Sequence, residues 1–430
     1  MKRKITDELL AWKNRQGRMP LIIHGARQVG KTHSALSFGR DYYRSTAYFN
    51  FEDSADLSAI FERDLDPKRI IRGLEAFSAQ AITPGDTLII FDEIQASERA
   101  LTSLKYFCEK APEYHIIAAG SLLGVALNRE KYSYPVGKVD SLNMYPMDFE
   151  EFLWAMGREA LAASIRESYA DFSPLALHDT AMDLFRQYVV VGGMPKAVDE
   201  YVRTEDFNYV TAVQKSLSNA YIADMAKYAS PRETTRILAA WSSISAQLAR
   251  ENHKFQYRTI KSGARASEYE TPLAWLETAG MVLKCPRVTQ GFFPLAAWAD
   301  NSSFKIYLMD TGILCAKFGI APNVVMNMPH SFDQFKGALA ENYVMQGLTA
   351  KGIEPYYWSP DSRLEVDFIY QNTIGEIIPV EVKSSEHVRS RSLSSYCAKY
   401  EPPYSVRVSP KNFGFENNIK SLPLYALFCV

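Results

Sequence analysis

The sequence has few cysteines, no long apolar run and almost no net charge, and each shortage excludes a class of protein. The five cysteines are scattered, with no C-x-x-C spacing: Cys108, Cys285, Cys315, Cys397 and Cys429. This dispersion predicts free thiols in a reducing compartment rather than a disulfide framework or a zinc site. The seven histidines show no metal-ligand spacing either. A formal net charge of -1 excludes a general attraction to nucleic acid or membrane, so any such contact needs a local patch.

No apolar run approaches the roughly 20 residues that a membrane span requires. The basic start, Met1–Ile5, is followed by polar residues rather than by an apolar segment. We therefore expect no secretory leader, no membrane contact and a cytoplasmic location. The chain is long, with 430 residues, of which 47% are hydrophobic and 23% charged. That is enough for two to four domains with buried cores.

A glycine-rich segment directly follows the apolar run Leu21–Ile23. The order of strand, glycine-rich loop and helix predicts a phosphate-binding P-loop, because the loop N–H groups and the helix N-terminus then face a nucleotide's phosphates. We expect Lys31 to reach the β- and γ-phosphates and the Thr32 hydroxyl to bind Mg²⁺. The alternative is a glycine turn with a chance Lys-Thr pair. The predicted nucleotide-binding residues are Gly25, Ala26, Arg27, Gln28, Val29, Gly30, Lys31, Thr32 and His33.

A second motif supports this interpretation. Thr87–Phe91 is an apolar run typical of a strand buried on both faces, and Asp92 and Glu93 follow at its carboxyl end. We expect Asp92 to hold Mg²⁺ with Thr32, and Glu93 to polarise the attacking water. Without the P-loop, an ordinary strand followed by an acidic helix start would explain the same residues.

A further apolar strand, Ile116–Ala119, leads into Gly120 and Ser121. Two roles for Ser121 stay open. It is either a sensor that contacts the γ-phosphate from the neighbouring strand end or the N-cap of the next helix.

Residues 1–205 alternate between strands and helices, with strands predicted at Leu21–His24, Thr46–Phe51, Thr87–Phe91 and His115–Ala119. This alternation predicts an α/β domain with a parallel sheet. Residues 206–330 change to helical periodicity, followed by two short strands near Met281–Cys285 and Lys305–Met309. Helices and a hairpin in this order predict a winged-helix module.

The winged-helix prediction leaves its partner open. Six basic residues, with Glu251 as the one acid among them, suit contact with phosphates. Glu268, Glu270 and Glu277 on the candidate recognition helix oppose DNA, which favours a protein or interdomain module instead. The basic residues are Arg250, His253, Lys254, Arg258, Lys261 and Arg265.

Residues 331–430 form a third predicted unit with its own constellation of charges. Glu381 and Lys383 share one face of a strand, and Asp367 lies in the strand before it. Together with Glu341 from the preceding helix, these carboxylates could bind a second metal ion, Mg²⁺ or Mn²⁺. Lys383 could then orient or deprotonate the water that cleaves a phosphodiester. Taken by spacing alone, a cross-strand ion pair on an ordinary hairpin is the better interpretation.

The sequence resembles the bacterial and archaeal P-loop ATPases of the AAA+ class that carry a DUF4143 C-terminal region. The resemblance covers nearly the whole chain. It rests on Gly25–Thr32, Ile90–Gln95, Ala119–Leu123, Val191–Pro195, Tyr221–Met225, Gln247–Asn252, Tyr307–Gly312, Lys336–Asn342 and Glu365–Phe368.

This resemblance implies an AAA+-like ATPase domain with bound ATP, followed by the winged-helix module. It also implies a small α/β, restriction-endonuclease-like domain similar to PD-(D/E)XK nucleases. Asp367, Glu381 and Lys383 match the nuclease motif, with Glu341 as the helix acid. Where relatives commonly have Gly-Arg, this chain has Gly137-Lys138. Lysine lacks the bidentate fork of arginine, so a contact there with phosphate or an adjacent subunit is weakened or changed.

Three hypotheses follow. The first is Mg²⁺-dependent ATP hydrolysis that drives a conformational switch. The second adds a metal-dependent DNA nuclease gated by the nucleotide, and the third replaces it with a non-catalytic module that binds nucleic acid or protein. Self-association stays undetermined, since Arg27, Arg129 and Arg250 are equal candidates for an arginine supplied to a neighbouring subunit.

Overall fold

The computed structural model describes residues 1–120, 135–250, 254–327, 333–361, 363–385 and 391–430. Apart from Met1, the chain divides into two compact units. The N-terminal unit comprises residues 2–145 with 278–280, and the C-terminal unit comprises residues 146–277 and 281–430. The domain limits predicted at 205 and 330 both fall inside the C-terminal unit, and the three-part division stays a prediction.

The N-terminal unit is built on a parallel five-stranded sheet with the order β2-β3-β4-β1-β5. Four of its strands confirm the predicted ones to within a residue at each end. The fifth was not predicted, because its sequence Asp-Ser-Leu-Asn has no apolar run. The strands are β1 (Leu21–His24), β2 (Ser45–Asn50), β3 (Thr87–Asp92), β4 (His115–Ala119) and β5 (Asp140–Asn143).

The described helices of this unit flank the sheet, and the α/β fold class with a parallel sheet is confirmed. Asp66 caps one of them by accepting from the N–H groups of Lys68 and Arg69, with Pro67 at the first helical position. The helices are α1 (Ile5–Asn14), α2 (Lys31–Tyr42), α3 (Ala55–Ala59), α4 (Pro67–Ser78) and α5 (Glu98–Lys110).

The interior strand β3 forms part of the hydrophobic core of this unit. All six of its residues are buried, as expected for a parallel strand covered on both faces. Phe91 packs edge-to-face against Phe51 and Phe61, with ring centroids 5.5 and 5.8 Å away. This core fixes the carboxyl end of β3, where Asp92 lies.

The C-terminal unit begins with a run of helices. Two of them open with a capping box, formed by Asp148 with Glu151 and by Ser230 with Glu233. No helix among the described residues is long and apolar enough to cross a membrane. The helices are α6 (Phe149–Ala155), α7 (Glu159–Asp171), α8 (His178–Val191), α9 (Pro195–Thr204), α10 (Phe207–Tyr228), α11 (Pro231–Leu248), α12 (Ala266–Thr278), α13 (Thr311–Phe318), α14 (Pro322–Asn327), α15 (Asp333–Ala350) and α16 (Arg391–Tyr400).

The second sheet is mixed and has the order β12-β13-β11-β10-β9-β8-β6-β7. In this sheet β10, β11 and β13 run parallel, while β9 pairs with β10 in antiparallel fashion. The strands are β6 (Val282–Val288), β7 (Ala299–Leu308), β8 (Tyr356–Trp358), β9 (Val366–Gln371), β10 (Ile377–Val382), β11 (Ser405–Ser409), β12 (Gly414–Glu416) and β13 (Ile419–Pro423).

The predicted hairpin is present, since β6 and β7 pair antiparallel. However, β6 also pairs in parallel with β8, through Arg287 with Tyr357 and Val288 with Trp358. The hairpin therefore belongs to the same sheet as the strands of the predicted third domain. The predicted winged-helix module is not confirmed, since its two strands are part of this larger sheet.

Candidate nucleotide site and carboxylate cluster

The loop between β1 and α2 has the backbone conformation that a P-loop requires. Gly25 has φ 140°, and a Cβ there would lie 2.2 Å from the carbonyl oxygen of Met144. Gly30, with φ 101°, is the N-cap of α2, which begins at Lys31. Only glycine fits both positions without strain. Of the other predicted loop residues, Ala26 and Val29 are buried, whereas Gln28 and His33 are exposed.

The Lys31 ammonium lies inside this loop. Its Nζ donates to the carbonyl oxygens of Gly25 and Ala26, at 2.9 and 2.8 Å, and the residue is only 7% exposed. Burial lowers the pKa of Lys31 to about 8, although the carboxylates of Glu93 and Asp92 oppose the shift. A cation held this close to the loop backbone is placed to bind the phosphates that the loop cradles.

Thr32, in the first turn of α2, contacts Asp92 at the carboxyl end of β3. The Thr32 hydroxyl donates to both carboxylate oxygens of Asp92, at 3.1 and 2.9 Å. These are two hard oxygen ligands of the kind Mg²⁺ prefers, brought together from residues 60 positions apart. The structure thus joins the two predicted magnesium ligands.

Glu93 follows in a left-handed conformation, with φ 48°. Its N–H donates to Asp92 Oδ1 at 3.1 Å, and its Oε2 accepts from the Gln95 amide at 2.5 Å. The main chain thus turns directly after Asp92. As a result, the two adjacent carboxylates have different partners: Asp92 accepts from Thr32, and Glu93 accepts from Gln95. Gln95 was not predicted as part of the site.

Two further residues that hold the site were missed from sequence. The Tyr48 hydroxyl donates to Asp92 Oδ2 at 2.8 Å, from the neighbouring strand β2. The buried Arg3 guanidinium donates to the carbonyl oxygens of Val29 and Tyr145, at 2.9 and 2.8 Å, and so ties the loop to the end of β5. No spacing signal links residues 3 or 48 to the motifs they support.

Several predicted residues are not part of the described site. Ser121 and Arg129 lie outside the described residues. Lys138, which stands where relatives commonly have arginine, pairs with Glu109 at 3.1 Å. Arg250 donates to the side-chain oxygen of Gln256 at 2.7 Å.

The second constellation lies on the hairpin of β9 and β10, as predicted. Ile369 pairs with Pro379 and Phe368 with Val380, so the same register next sets Asp367 opposite Glu381. Asp367 Oδ2 accepts the N–H of Val382 at 2.7 Å, and Lys383 Nζ lies 2.5 Å from Glu381 Oε1.

Glu341 on α15 has different partners. Its Oε2 accepts from the Tyr307 hydroxyl at 2.9 Å and lies 3.3 Å from Lys305 Nζ. Lys305, only 1% exposed, also lies 2.8 Å from Glu365. Burial alone would lower the pKa of Lys305, but Glu341, Tyr307 and Glu365 outweigh it and hold the pKa well above its usual value. This internal cation was not predicted from sequence.

The charged groups of this cluster shift the pKa values of their neighbours. Burial, together with the charges of Glu381 and Glu341, raises the pKa of Asp367 well above its usual value. Burial would lower the pKa of Lys383, but Glu381 and Asp367 reverse the shift and raise it. Glu381 Oε2 is buried without a hydrogen-bond partner among the described residues.

The described residues do not show the predicted second metal site. Among the described residues, no group of three or more His, Cys, Asp or Glu side chains is arranged to hold a metal ion. The physical reason is that each predicted ligand is turned to a protein partner. Asp367 accepts a backbone N–H, Glu381 pairs with Lys383, and Glu341 pairs with Lys305 and Tyr307.

Comparison with protein families matches three segments of the chain. Residues 17–153 match an AAA domain (AAA_14), and residues 336–427 match a domain of unknown function, DUF4143. Residues 182–323 match another domain of unknown function, DUF8612. The predicted resemblance to AAA ATPases with a DUF4143 region is confirmed. No curated protein matches the chain.

Three solved structures illustrate what the chain is similar to. A Walker-type ATPase of Pyrococcus abyssi is 15% identical, with 74% of this chain and 95% of that chain covered and a TM-score of 0.45. The ORC2 protein of Aeropyrum pernix is 14% identical, with 76% and 94% covered and a TM-score of 0.39. The RuvB Holliday junction branch migration motor of Thermotoga maritima is 14% identical, with 66% and 90% covered and a TM-score of 0.32. The P-loop and the start of α2 at Lys31 lie within the segment that matches the AAA domain.

Proposed function

We propose that this protein binds ATP at the P-loop and hydrolyses it with Mg²⁺. Hydrolysis drives a conformational switch that is coupled to a C-terminal domain acting on or binding DNA. The observation that carries the ATPase proposal is the contact of the Thr32 hydroxyl with Asp92, 2.9 Å apart, next to the buried Lys31. A strand, a loop and a helix N-terminus supply in one place the groups that triphosphate hydrolysis needs.

In this proposal the P-loop binds and orients the triphosphate. Backbone N–H groups of the loop and the first turn of α2 donate to phosphate oxygens. Lys31 exchanges the carbonyl oxygens of Gly25 and Ala26 for the β- and γ-phosphates. Negative phosphates favour the charged ammonium and so offset the effect of burial on the pKa of Lys31.

Thr32 and Asp92 fit a magnesium ion, since both offer oxygen donors from one point of the sheet edge. The ion, when bound, neutralises charge on the phosphate oxygens. Glu93 acts as the base. Its carboxylate accepts a proton from the attacking water and orients a lone pair of the water oxygen toward the γ-phosphorus. Gln95 holds Glu93 in place through the hydrogen bond to Oε2.

The first test replaces Lys31 with alanine. We expect ATP affinity to fall at least about a hundredfold, because the loop loses the buried ammonium that would face the phosphates. The matched control is Lys68→Ala, an exposed lysine of α4 in the same unit. Equilibrium titration with ATP in Mg²⁺ checks both variants, and equal affinities in Lys31→Ala and the control would overturn the assignment.

A second candidate concerns the C-terminal domain, which we propose binds DNA without cleaving it. The supporting observation is that Glu341, Asp367 and Glu381 all have protein partners, among them the buried Lys305. Arg258, Lys261 and Arg265 are exposed in the same unit and supply cations for phosphate contacts. The nuclease hypothesis instead requires these carboxylates to exchange their partners for a metal ion.

A further inference from the structure

A cavity of about 560 Å³ lies between α16 and the starts of β11 and β13. Its lining includes Arg407, Ser405, the adjacent Asn417 and Asn418, and Glu401. The two asparagines form the turn between β12 and β13, both left-handed with φ 51° and 60°, a conformation that asparagine tolerates. None of these residues belongs to the P-loop site or to the carboxylate cluster.

Arg407 is the unexplained group in this cavity. Its Nε is buried and has no hydrogen-bond partner within the described chain. A guanidinium is always charged in proteins, and a buried donor without an acceptor is costly. Such a group in a native protein points to a water, an ion or a ligand that completes it.

Within the described residues, no carboxylate hydrogen-bonds Arg407 Nε. In the parallel register of β10 and β11, Glu381 lies directly beside Arg407. Its Oε1 is taken by Lys383 at 2.5 Å, and its Oε2 is itself without a hydrogen-bond partner among the described residues. Two neighbouring groups of opposite charge therefore leave each other unbonded.

The lining indicates the ligand class. Arginine binds phosphate through a planar fork, and asparagine amides and serine hydroxyls offer both donors and acceptors to a base or sugar. The cavity has the volume of a small-molecule site, which spans roughly 300–1,000 Å³. Glu401 opposes a highly charged ligand, so one phosphate suits this cavity better than three.

We propose that this cavity is a second nucleotide site that binds a nucleoside monophosphate unit, with Arg407 on its phosphate. The unit comes either as a free mononucleotide or as part of a DNA strand, since both present the same phosphate and base. The proposal does not depend on ATP hydrolysis at the P-loop.

The test uses the full-length Lys31→Ala protein, so that nucleotide bound at the P-loop does not contribute. Calorimetric titration with dTMP, thymidine and inorganic phosphate is the first measurement. We expect dTMP to bind at least about tenfold more tightly than thymidine, and Arg407→Gln to weaken dTMP binding by about tenfold to a hundredfold. Unchanged dTMP affinity in Arg407→Gln, or no binding of dTMP and the phosphorylated oligonucleotide below, would overturn the proposal.

A second variant guards against loss of folding in Arg407→Gln. Asn417→Asp puts a negative charge at the exposed turn without disturbing its left-handed backbone, and should also weaken dTMP binding. Asn301→Asp, the same change at an exposed site in β7, is the control and should leave dTMP binding unchanged. Titration with hexathymidylate, with and without a 5′-phosphate, separates the two sources: preference for the phosphorylated strand over dTMP assigns the site to DNA, and the reverse to free nucleotide. Equal weakening by Asn417→Asp and Asn301→Asp would contradict the cavity as the binding site.

Discussion

Tyr48 illustrates how a single hydroxyl can set the geometry of the magnesium ligands. It donates to Asp92 Oδ2 at 2.8 Å, while Thr32 donates to both oxygens of the same carboxylate. The Asp92 carboxylate also accepts the N–H of Glu93. With donors on several sides, the carboxylate has little freedom to rotate, which prepares it for a metal with strict geometric demands.

Tyr48→Phe should therefore raise the Mg²⁺ concentration needed for half-maximal ATP turnover by about twofold to tenfold, as expected for one hydrogen bond to a partly exposed carboxylate. ATP affinity without Mg²⁺ should not change. The measurement is phosphate release against free Mg²⁺ at saturating ATP. Tyr42→Phe, at a similarly exposed tyrosine on α2, is the control. An unaltered Mg²⁺ dependence in Tyr48→Phe would remove Tyr48 from the site.

At the residue scale, the P-loop residues could be predicted from the sequence, but Arg3 and Tyr48, which hold the site in place, could not. Gly25, Gly30, Lys31 and Thr32 are contiguous and act through local backbone geometry, so their spacing is visible in the chain. Arg3 contacts Val29 and Tyr145, which are 26 and 142 positions away. Such pairings arise only from the folded sheet, and residue type alone does not predict them.

At the scale of elements, the turn after α8 is held by a distant aspartate. Helix α8 ends at Val191, and Gly192 follows with φ 74°. The N–H of Gly193 donates to Asp310 Oδ2 at 2.6 Å, while Asp310 Oδ1 caps α13 through the N–H of Ile313 at 2.8 Å. Asp310 thus connects the end of α8 with the start of α13.

Burial raises the pKa of Asp310 to about 6, although its backbone hydrogen bonds oppose the shift. The folded state therefore binds this proton more tightly than the unfolded state, whose pKa is near 3.8. The contribution to stability is largest below about pH 4 and is lost as the pH rises through 6, by about 3 kcal/mol.

Asp310→Asn should be less stable than wild type, because its amide offers only one acceptor to two N–H groups. The difference in free energy of unfolding should shrink as the pH rises from 4 to 7. Denaturant unfolding followed by tryptophan fluorescence checks this, since all tryptophans except Trp12 lie in the C-terminal unit. Asp199→Asn, at an exposed position of α9, is the control. A gap that is constant with pH would contradict the assignment.

Among elements, the sequence predicted strands with apolar runs and missed β5, whose residues alternate between half-buried and exposed. It also predicted the β6–β7 hairpin but not its sheet. Pairing of β6 with β8 joins residues about 70 positions apart, so its origin is tertiary. The hairpin pattern alone is compatible with either a wing or an interior pair of strands.

At the scale of the whole molecule, the near-zero net charge and the paired carboxylates are the features that bear on the proposal that the C-terminal unit binds DNA without cleaving it. Lys305 lies against both Glu341 and Glu365, so the cluster carries its own counter-charge. A divalent ion would have to displace this buried lysine or compete with its field. Binding by exposed cations needs no such exchange.

We accordingly predict that supercoiled plasmid is bound but not cut with Mg²⁺ or Mn²⁺, whether nucleotide is absent or is ADP, ATP or a non-hydrolysable analogue. Gel shift in EDTA should show metal-independent DNA binding that weakens with salt. Lys383→Ala serves as the control for trace nuclease, since contaminating activity would persist in it. Nicking that disappears in Lys383→Ala would instead establish a nuclease, and its nucleotide dependence would show whether the P-loop gates it.

The most direct test of ATP hydrolysis at this site is phosphate release by Glu93→Gln measured beside its ATP affinity. The variant keeps the size and hydrogen-bonding reach of the side chain and removes its basicity. We predict unchanged ATP binding with turnover lowered by about a hundredfold or more, typical of a lost general base, while Glu113→Gln at an exposed position behaves as wild type. Turnover that persists in Glu93→Gln would contradict the account.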